Sequence, residues 1–247
     1  MEIDQFSRTR LLFGEEALAK FAVTRVAVMG LGGVGSYVAE ALARSGIFKM
    51  LLVDFDVISL SNINRQLPAL HSTIGRKKTE VLRERLLDIN PQMIVDVISE
   101  FCNEDSRSGM LKDVDFVVDA IDTLAPKVGL MEDCYRLKLP VISVMGAASR
   151  FDPSMIAIAD FSQTSVCPLA RRVRKYLRRR GINKGIPVIY SREVPIDQFP
   201  PEAGTIQEWG GKSGRMRGTL GSVAYMPAIM GLWAASYVLN QLKDKEL

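Results

Sequence analysis

The order strand, glycine turn, helix, strand, acid over residues 25–66 constrains this chain more than any other feature. Residues 26–29 (VAVM) predict a short apolar strand that runs into a turn at Gly30, Gly32, Gly33 and Gly35. Small and apolar residues then recur at helical spacing: Val34, Val38, Ala41, Leu42 and Ser45. Residues 50–53 predict a second strand, which stops at Asp54. Such an order builds a phosphate site at a helix N-terminus, with a carboxylate about 20 residues further on to reach a ribose. The glycines let backbone approach a pyrophosphate, and unpaired first-turn N–H groups point at it.

Taken alone, the glycine turn suits NAD or FAD. The residues after Asp54 change that reading. An ordinary dinucleotide site needs nothing beyond its acid, whereas here a polar run follows: Asp56, Ser59, Ser61, Asn62, Asn64, Arg65 and Gln66. Arginine forks onto phosphate oxygens, and asparagine bridges base, ribose or phosphate. Arg76, Lys77 and Lys78 add further phosphate-directed charge. Hydride transfer has little use for so many phosphate ligands; cutting a triphosphate does. A dinucleotide oxidoreductase stays as an alternative.

The segments GLGGVGS, DFDVISLSNINRQ, IGRKK and DAID together resemble the E1-like, ThiF/MoeB-type adenylating enzymes. FSRTRLLFGEEAL, DAIDTLAPKVGLMEDCYRLKLPVISVMGAASRFDP and PLARRVRKYLRRRGI are most similar to the tRNA threonylcarbamoyladenosine dehydratase branch of that superfamily. The resemblance implies ATP-dependent activation of a carboxylate as an acyl-adenylate. It implies that the glycine turn and Arg65 hold the phosphates, Asp54 the ribose, and Asn62 the orientation of the nucleotide, with Asp56 and Gln66 also lining the site. It implies that Lys78 and Asp122, the latter through Mg²⁺, neutralise the triphosphate. Lys77 is the second choice for that lysine, since the register of IGRKK favours Lys78. It also implies a homodimer in which an N-terminal arginine reaches the partner's nucleotide site; Arg8 fits that motif better than Arg10. The substrate would be tRNA carrying threonylcarbamoyladenosine, closed to a ring with loss of AMP. A monovalent cation and a sulfur-transfer partner of the cysteine-desulfurase type belong to the same expectation. Two other readings remain: adenylation of the C-terminal glycine of a ubiquitin-like sulfur carrier, and a nucleotide-binding scaffold without chemistry.

The fold expected is a single α/β domain over residues 1–247, Rossmann-like and doubly wound, its mostly parallel sheet extended by antiparallel strands. At 47% apolar and 24% charged, the chain has the composition of a soluble globular protein. No secretory signal is visible, and three widely spaced cysteines, Cys102, Cys134 and Cys167, make no metal pair and fit a reducing cytoplasm. No structural zinc is expected, because the paired cysteines of many relatives are missing. Residues 1–21 predict an amphipathic, dimerising helical region. Helices are predicted over 77–89 and 126–137, and strands over 94–98, 116–120, 141–144, 154–161 and 187–194. Gly146, Ala147 and Ala148 leave room for substrate or backbone after the 141–144 strand. Asp122 falls just past the carboxyl end of a buried strand, where open α/β sheets bind ligands; a helix N-cap is its other reading.

Residues 171–180 carry Arg171, Arg172, Arg174, Lys175, Arg178, Arg179 and Arg180 and no acid. Seven charges against a formal net charge of +4 leave the rest of the chain at −3, so one helix is basic, not the protein. A solvated helix face normally mixes signs to gain i,i+4 pairs. Unmixed cations point to an anionic partner, and tRNA phosphate is the expected one. An acidic protein or a plain surface are the alternatives. Tyr176 is the only aromatic there, so the contact positions backbone and does not stack bases. Residues 196–218 are rich in Pro and Gly and predict a mobile crossover loop without a cysteine. Cys167, before Pro168 at a predicted helix start, is a weaker candidate for a reactive thiol. Residues 219–239 hold no charge and are long enough to span a bilayer. Gly221, Ser222, Tyr225, Pro227 and Ser236 dilute them, and the sheet needs a covering helix, so a core helix over 226–242 and no stable membrane association are expected.

Overall fold

The computed structural model describes residues 4–196 and 220–244. One seven-stranded sheet has the order β3-β2-β1-β4-β5-β7-β6. Its strands are β1 (Arg25–Met29), β2 (Lys49–Val53), β3 (Ile94–Ile98), β4 (Phe116–Asp119), β5 (Val141–Val144), β6 (Ile156–Asp160) and β7 (Pro187–Ser191). The helices are α1 (Ser7–Val23), α2 (Gly35–Arg44), α3 (Lys78–Ile89), α4 (Glu104–Met110), α5 (Leu124–Leu137), α6 (Pro168–Arg179) and α7 (Tyr225–Lys243). All pairings are parallel except β6 with β7.

The strands are apolar on both faces because helices cover both. Val26, Val28, Met50, Leu52 and Val118 join a core with α2, α7 and the second half of α1. Ala27, Met29, Leu51, Val53 and Val117 join another with α4, α5 and α6. That is the burial expected of a parallel sheet, and it explains why these strands lack polar alternation. The uncharged C-terminal run is part of the first core. A Cβ at Gly231 of α7 would lie 2.5 Å from the Val34 carbonyl oxygen, so α7 crosses α2 at a distance only glycine permits. Among the described residues no helix is long and apolar enough to cross a membrane.

Several boundaries differ from expectation. The antiparallel part is one edge strand, β6, since β7 runs parallel to β5. β6 starts at Ile156 because Asp152 caps a short 3-10 turn by accepting from the Ser154 N–H. β7 stops at Ser191. Helix α4 is absent from the expected elements, although Asn103 and Ser106 form its capping box. The amphipathic N-terminal helix is broken at Gly14 (φ 84°), and the first half leaves Leu11 and Leu12 exposed at 83% and 80%. The expected crossover loop, 196–218, lies outside the described residues except for Ile196.

Candidate active site

The site is set by where strands end. Met29 pairs with Val53 and with Asp119, so β1, β2 and β4 finish level. The next residues, Gly30, Asp54 and Ala120, therefore share one rim. There Gly30 takes a φ of +92°, and a Cβ on it would sit 2.8 Å from the Ala120 carbonyl oxygen. A Cβ on Gly35 would sit 1.8 Å from the Gly30 carbonyl oxygen, so the turn closes only with glycine at both places. Among the described residues the amides of Gly32, Gly33 and Val34 donate no hydrogen bond, and they precede α2 as an open anion-binding end.

Asp54 fastens this turn from β2. Its Oδ2 accepts the Leu31 N–H at 2.6 Å and its Oδ1 the Asp56 N–H at 2.8 Å. Burial pushes the Asp54 carboxyl above its ordinary value, and the Lys78 charge partly offsets this. Lys78 opens α3 with its side chain 5% exposed, its Nζ 2.7 Å from Asp56 Oδ2 and 4.0 Å from Asp54 Oδ2. Lys77 caps the helix instead and reaches outward to Glu80 at 3.4 Å. Of the two lysines in IGRKK, only Lys78 joins the rim.

Arg65 is half-buried. Its Nη1 donates to the Ser61 carbonyl at 2.9 Å and to Asn64 Oδ1 at 2.8 Å. Burial lowers its pKa, and the field of Asp122 acts in the opposite direction. Asp122 is exposed at the β4 end and is not the helix cap; Thr123 is. Asn62 does local work: its Oδ1 accepts the Ser59 N–H at 3.1 Å and closes a 3-10 turn. Gln66 is buried against the glycine turn, and its Oε1 has no hydrogen-bond partner among the described residues. A buried acceptor without a donor is costly, and a bound nucleotide's hydroxyl or amino group is of the kind that would satisfy it. Arg8 is exposed and makes no ion pair among the described residues. Arg10 is tied to Asp4 at 2.7 Å and Glu15 at 2.8 Å.

Away from the rim, the seven cations near α6 divide. Arg174 donates to the Thr164 carbonyl and hydroxyl oxygens, both at 2.6 Å, and Arg180 pairs with Glu132. Arg171, Arg172, Lys175, Arg178 and Arg179 remain exposed, while Ala170, Val173 and Leu177 face the core. Cys102, Cys134 and Cys167 are all buried. Burial pushes the Cys102 thiol up to about 11 and the Cys134 thiol higher still. One further cluster has no local signature in the sequence. Lys127, on α5, meets Asp119 Oδ2 at 2.7 Å and Ser143 Oγ at 3.1 Å, with both charged side chains wholly buried. Lysine three residues into a helix carries no signal of burial; only the pairing of β4 with β5 brings Asp119 and Ser143 level.

A doubly wound sheet whose rim gathers a glycine turn, two carboxylates, a buried lysine and a half-buried arginine defines a nucleotide-binding α/β protein. Residues 6–247 match the ThiF family, and the chain belongs to it. It is 41% identical over 250 residues to the tRNA threonylcarbamoyladenosine dehydratase of Bacillus subtilis, covering 99% of this chain and 97% of that one. The enzyme of that name from Escherichia coli is 34% identical, over 98% of this chain and 94% of its own. The crystal structure of that Escherichia coli protein with ATP matches at a TM-score of 0.85, covering 96% of this chain and 93% of that one. The molybdopterin-synthase adenylyltransferase of Escherichia coli is 34% identical over 139 residues, 56% of this chain and 54% of its own.

Proposed function

We propose that this protein is an ATP-dependent adenylating enzyme that activates the carboxylate of threonylcarbamoyladenosine in tRNA and closes it to a ring with release of AMP. The observation that carries the adenylating step is Lys78, a buried cation on the strand-end rim beside the glycine turn. It is held by Asp56, a half-exposed carboxylate that can return to water when phosphate takes its place. Full-length likeness to the dehydratases, against half-length likeness to the molybdopterin enzyme, favours the tRNA substrate.

In this reading the amides at the start of α2 and the Arg65 guanidinium bind phosphate oxygens. Asp54 keeps lone pairs for ribose hydroxyls while it fixes the turn. A substrate carboxylate oxygen attacks the α-phosphorus, and pyrophosphate leaves with the bond's electron pair. Lys78 neutralises the charge that develops there. An exposed carboxylate such as Asp122 suits Mg²⁺, which is commonly held by one or two carboxylates plus phosphates and supplies charge neutralisation when bound. A neighbouring group of the same modification then attacks the acyl carbon, and AMP departs. Positioning and charge suffice, so no thiol is required, in keeping with three buried cysteines. The five exposed cations of residues 171–179 hold tRNA phosphates. Exposed Leu11 and Leu12 support a homodimer contact that carries Arg8 toward the partner's site.

Pyrophosphate release tests the proposal. Release that depends on tRNA carrying threonylcarbamoyladenosine is expected. Release triggered instead by a small carrier protein with a C-terminal glycine would replace this reading with the sulfur-carrier one.

A further inference from the structure

Five cationic side chains are buried among the described residues: Lys20, Lys78, Arg107, Lys127 and Arg150. Four of them form ion pairs, with Glu16, Asp56, Asp133 and Asp119. Arg150 has no carboxylate partner among the described residues, although it is only 4% exposed. Its Nη1 donates to the carbonyls of Gly146 at 2.9 Å and Ala148 at 2.8 Å. Its Nε and Nη2 are buried and have no hydrogen-bond partner among the described residues. These two nitrogens form the edge of a guanidinium that forks onto a carboxylate with two parallel hydrogen bonds. Two acids near it are already engaged: the Glu193 carboxylate accepts the Phe151 and Asp152 N–H groups, and Asp152 Oδ1 accepts from the Ser154 N–H and hydroxyl. A buried charge with an unmet edge is costly to keep unless something supplies the missing anion.

The place of this residue indicates which anion. Ser143 of β5 lies level with Asp119 of β4, so the loop carrying Arg150 leaves the sheet beside the turn carrying Asp122. The phosphate donors, from the glycine turn to Lys78, lie on the opposite side of that turn, over β1 and β2. Arg150 lies toward α6: a Cβ on Gly146 would be 3.9 Å from both Arg150 Nη1 and Leu169 Cβ, in the first turn of that basic helix. We infer that the Nε–Nη2 edge of Arg150 receives the carboxylate of the substrate itself and holds it between the nucleotide side of the rim and the tRNA side. This rests on the functional reading above and assigns a substrate-binding residue to it. No bond changes at Arg150; it fixes and keeps ionised the group that attacks. The Gly146–Ala148 segment beside the guanidinium carries only hydrogen and methyl side chains, so little side-chain bulk stands on that side of it.

The test is a binding comparison with Arg150→Gln, and with Arg150→Lys as the milder variant should the first not fold. Each protein is titrated with tRNA bearing threonylcarbamoyladenosine, with the same tRNA lacking the modification, and with ATP. The unaltered protein is expected to prefer modified tRNA by about tenfold to a hundredfold, the range of hydrogen bonds to charged groups. Arg150→Gln should abolish that preference while binding unmodified tRNA and ATP as before, and Arg150→Lys should keep only part of it. Equal weakening toward both tRNAs would mark Arg150 as structural, and loss of ATP affinity would mark its ligand as nucleotide phosphate; either overturns the inference. Preference retained in both variants overturns it alone. An unaltered protein that binds both tRNAs alike overturns it together with the functional reading.

Discussion

Two lysine–aspartate pairs of the same length, 2.7 Å, stand near the ends of β2 and β4, one strand apart in the sheet, and do different work. Lys127 and Asp119 are both wholly buried, and Ser143 donates its hydroxyl to the same carboxylate. Lys78 is nearly as buried at 5%, but Asp56 is 46% exposed. The first pair is sealed and can exchange its partners with nothing. The second is sealed on one side only, so its carboxylate can yield to a phosphate at small cost. Distance does not separate a structural ion pair from a working one here; solvent access to one partner does.

The largest effect should come from breaking the sealed pair. Lys127→Met leaves Asp119 buried without a counter-charge, which is expected to cost about 3–5 kcal/mol of stability. Removing both charges, in Lys127→Met with Asp119→Leu, should restore much of that loss. Urea unfolding of the single and double variants reads both. If the single variant unfolds at the same midpoint as the parent, the pair is not the structural element described.

Breaking the open pair should cost less stability than breaking the sealed one and should remove activity. Lys78→Ala is expected to lower kcat/KM about 10²–10³-fold, the range seen when one preorganised charge-stabilising donor is lost. Its urea midpoint should fall by less than that of Lys127→Met, because Asp56 can hydrate and only the more distant Asp54 loses a buried counter-charge. A variant that loses stability without losing rate would reverse the roles assigned to the two pairs.

How far the sequence spoke for each pair follows from the range of the interactions involved. Asp54, Asp56, Arg65 and Lys78 lie within one βα unit and its following turn, where local signals, a glycine turn and a cap register, fix positions. The helix boundaries near Lys78 and the strands at 94–98 and 141–144 follow from periodicity and apolar runs. Lys127 and Arg150 are different. The surroundings of Lys127 come from strands paired across the sheet and those of Arg150 from the way its own loop folds back beside α6, and a lone basic residue in a helix or loop is ordinarily solvated. The break at Gly14 was likewise hidden, since a glycine in a helical pattern marks a left-handed residue only once its φ is known.

Beyond both pairs stand cations with no carboxylate partner, and these sharpen the contrast at lower magnitude. Arg171→Ala, Arg172→Ala and Lys175→Ala combined should weaken tRNA binding at low salt and flatten its dependence on log salt by up to about 2–3 units. Arg174→Ala should act on stability instead, since its guanidinium holds Thr164. Filter binding over a salt series separates the two. A triple variant with the parental salt slope would remove residues 171–179 from the tRNA surface.

The smallest effect concerns Asp54, which lies 4.0 Å from Lys78 and connects the open pair to the glycine turn. Burial raises its folded pKa above the ordinary 3.8. A carboxyl so raised takes up its proton more readily folded than unfolded. Its own contribution to stability therefore increases as pH falls through the folded pKa, and that gain is complete below the unfolded value. Glu40, Glu132 and Asp160 are lowered by arginine partners or hydrogen bonds. Their stabilisation is present above the unfolded carboxylate values and is lost as pH drops through the depressed folded ones. The two windows do not coincide. ATP affinity, which needs an ionised Asp54 to accept from the turn and the ribose, should weaken at a mildly acid pH where the fold still holds. Titrating ATP against the parent and Asp54→Asn across that range decides the matter: the variant should bind more weakly at neutral pH and show no such limb. If the limb persists in the variant, another group sets it, and Asp54 does not link the lysine to the nucleotide.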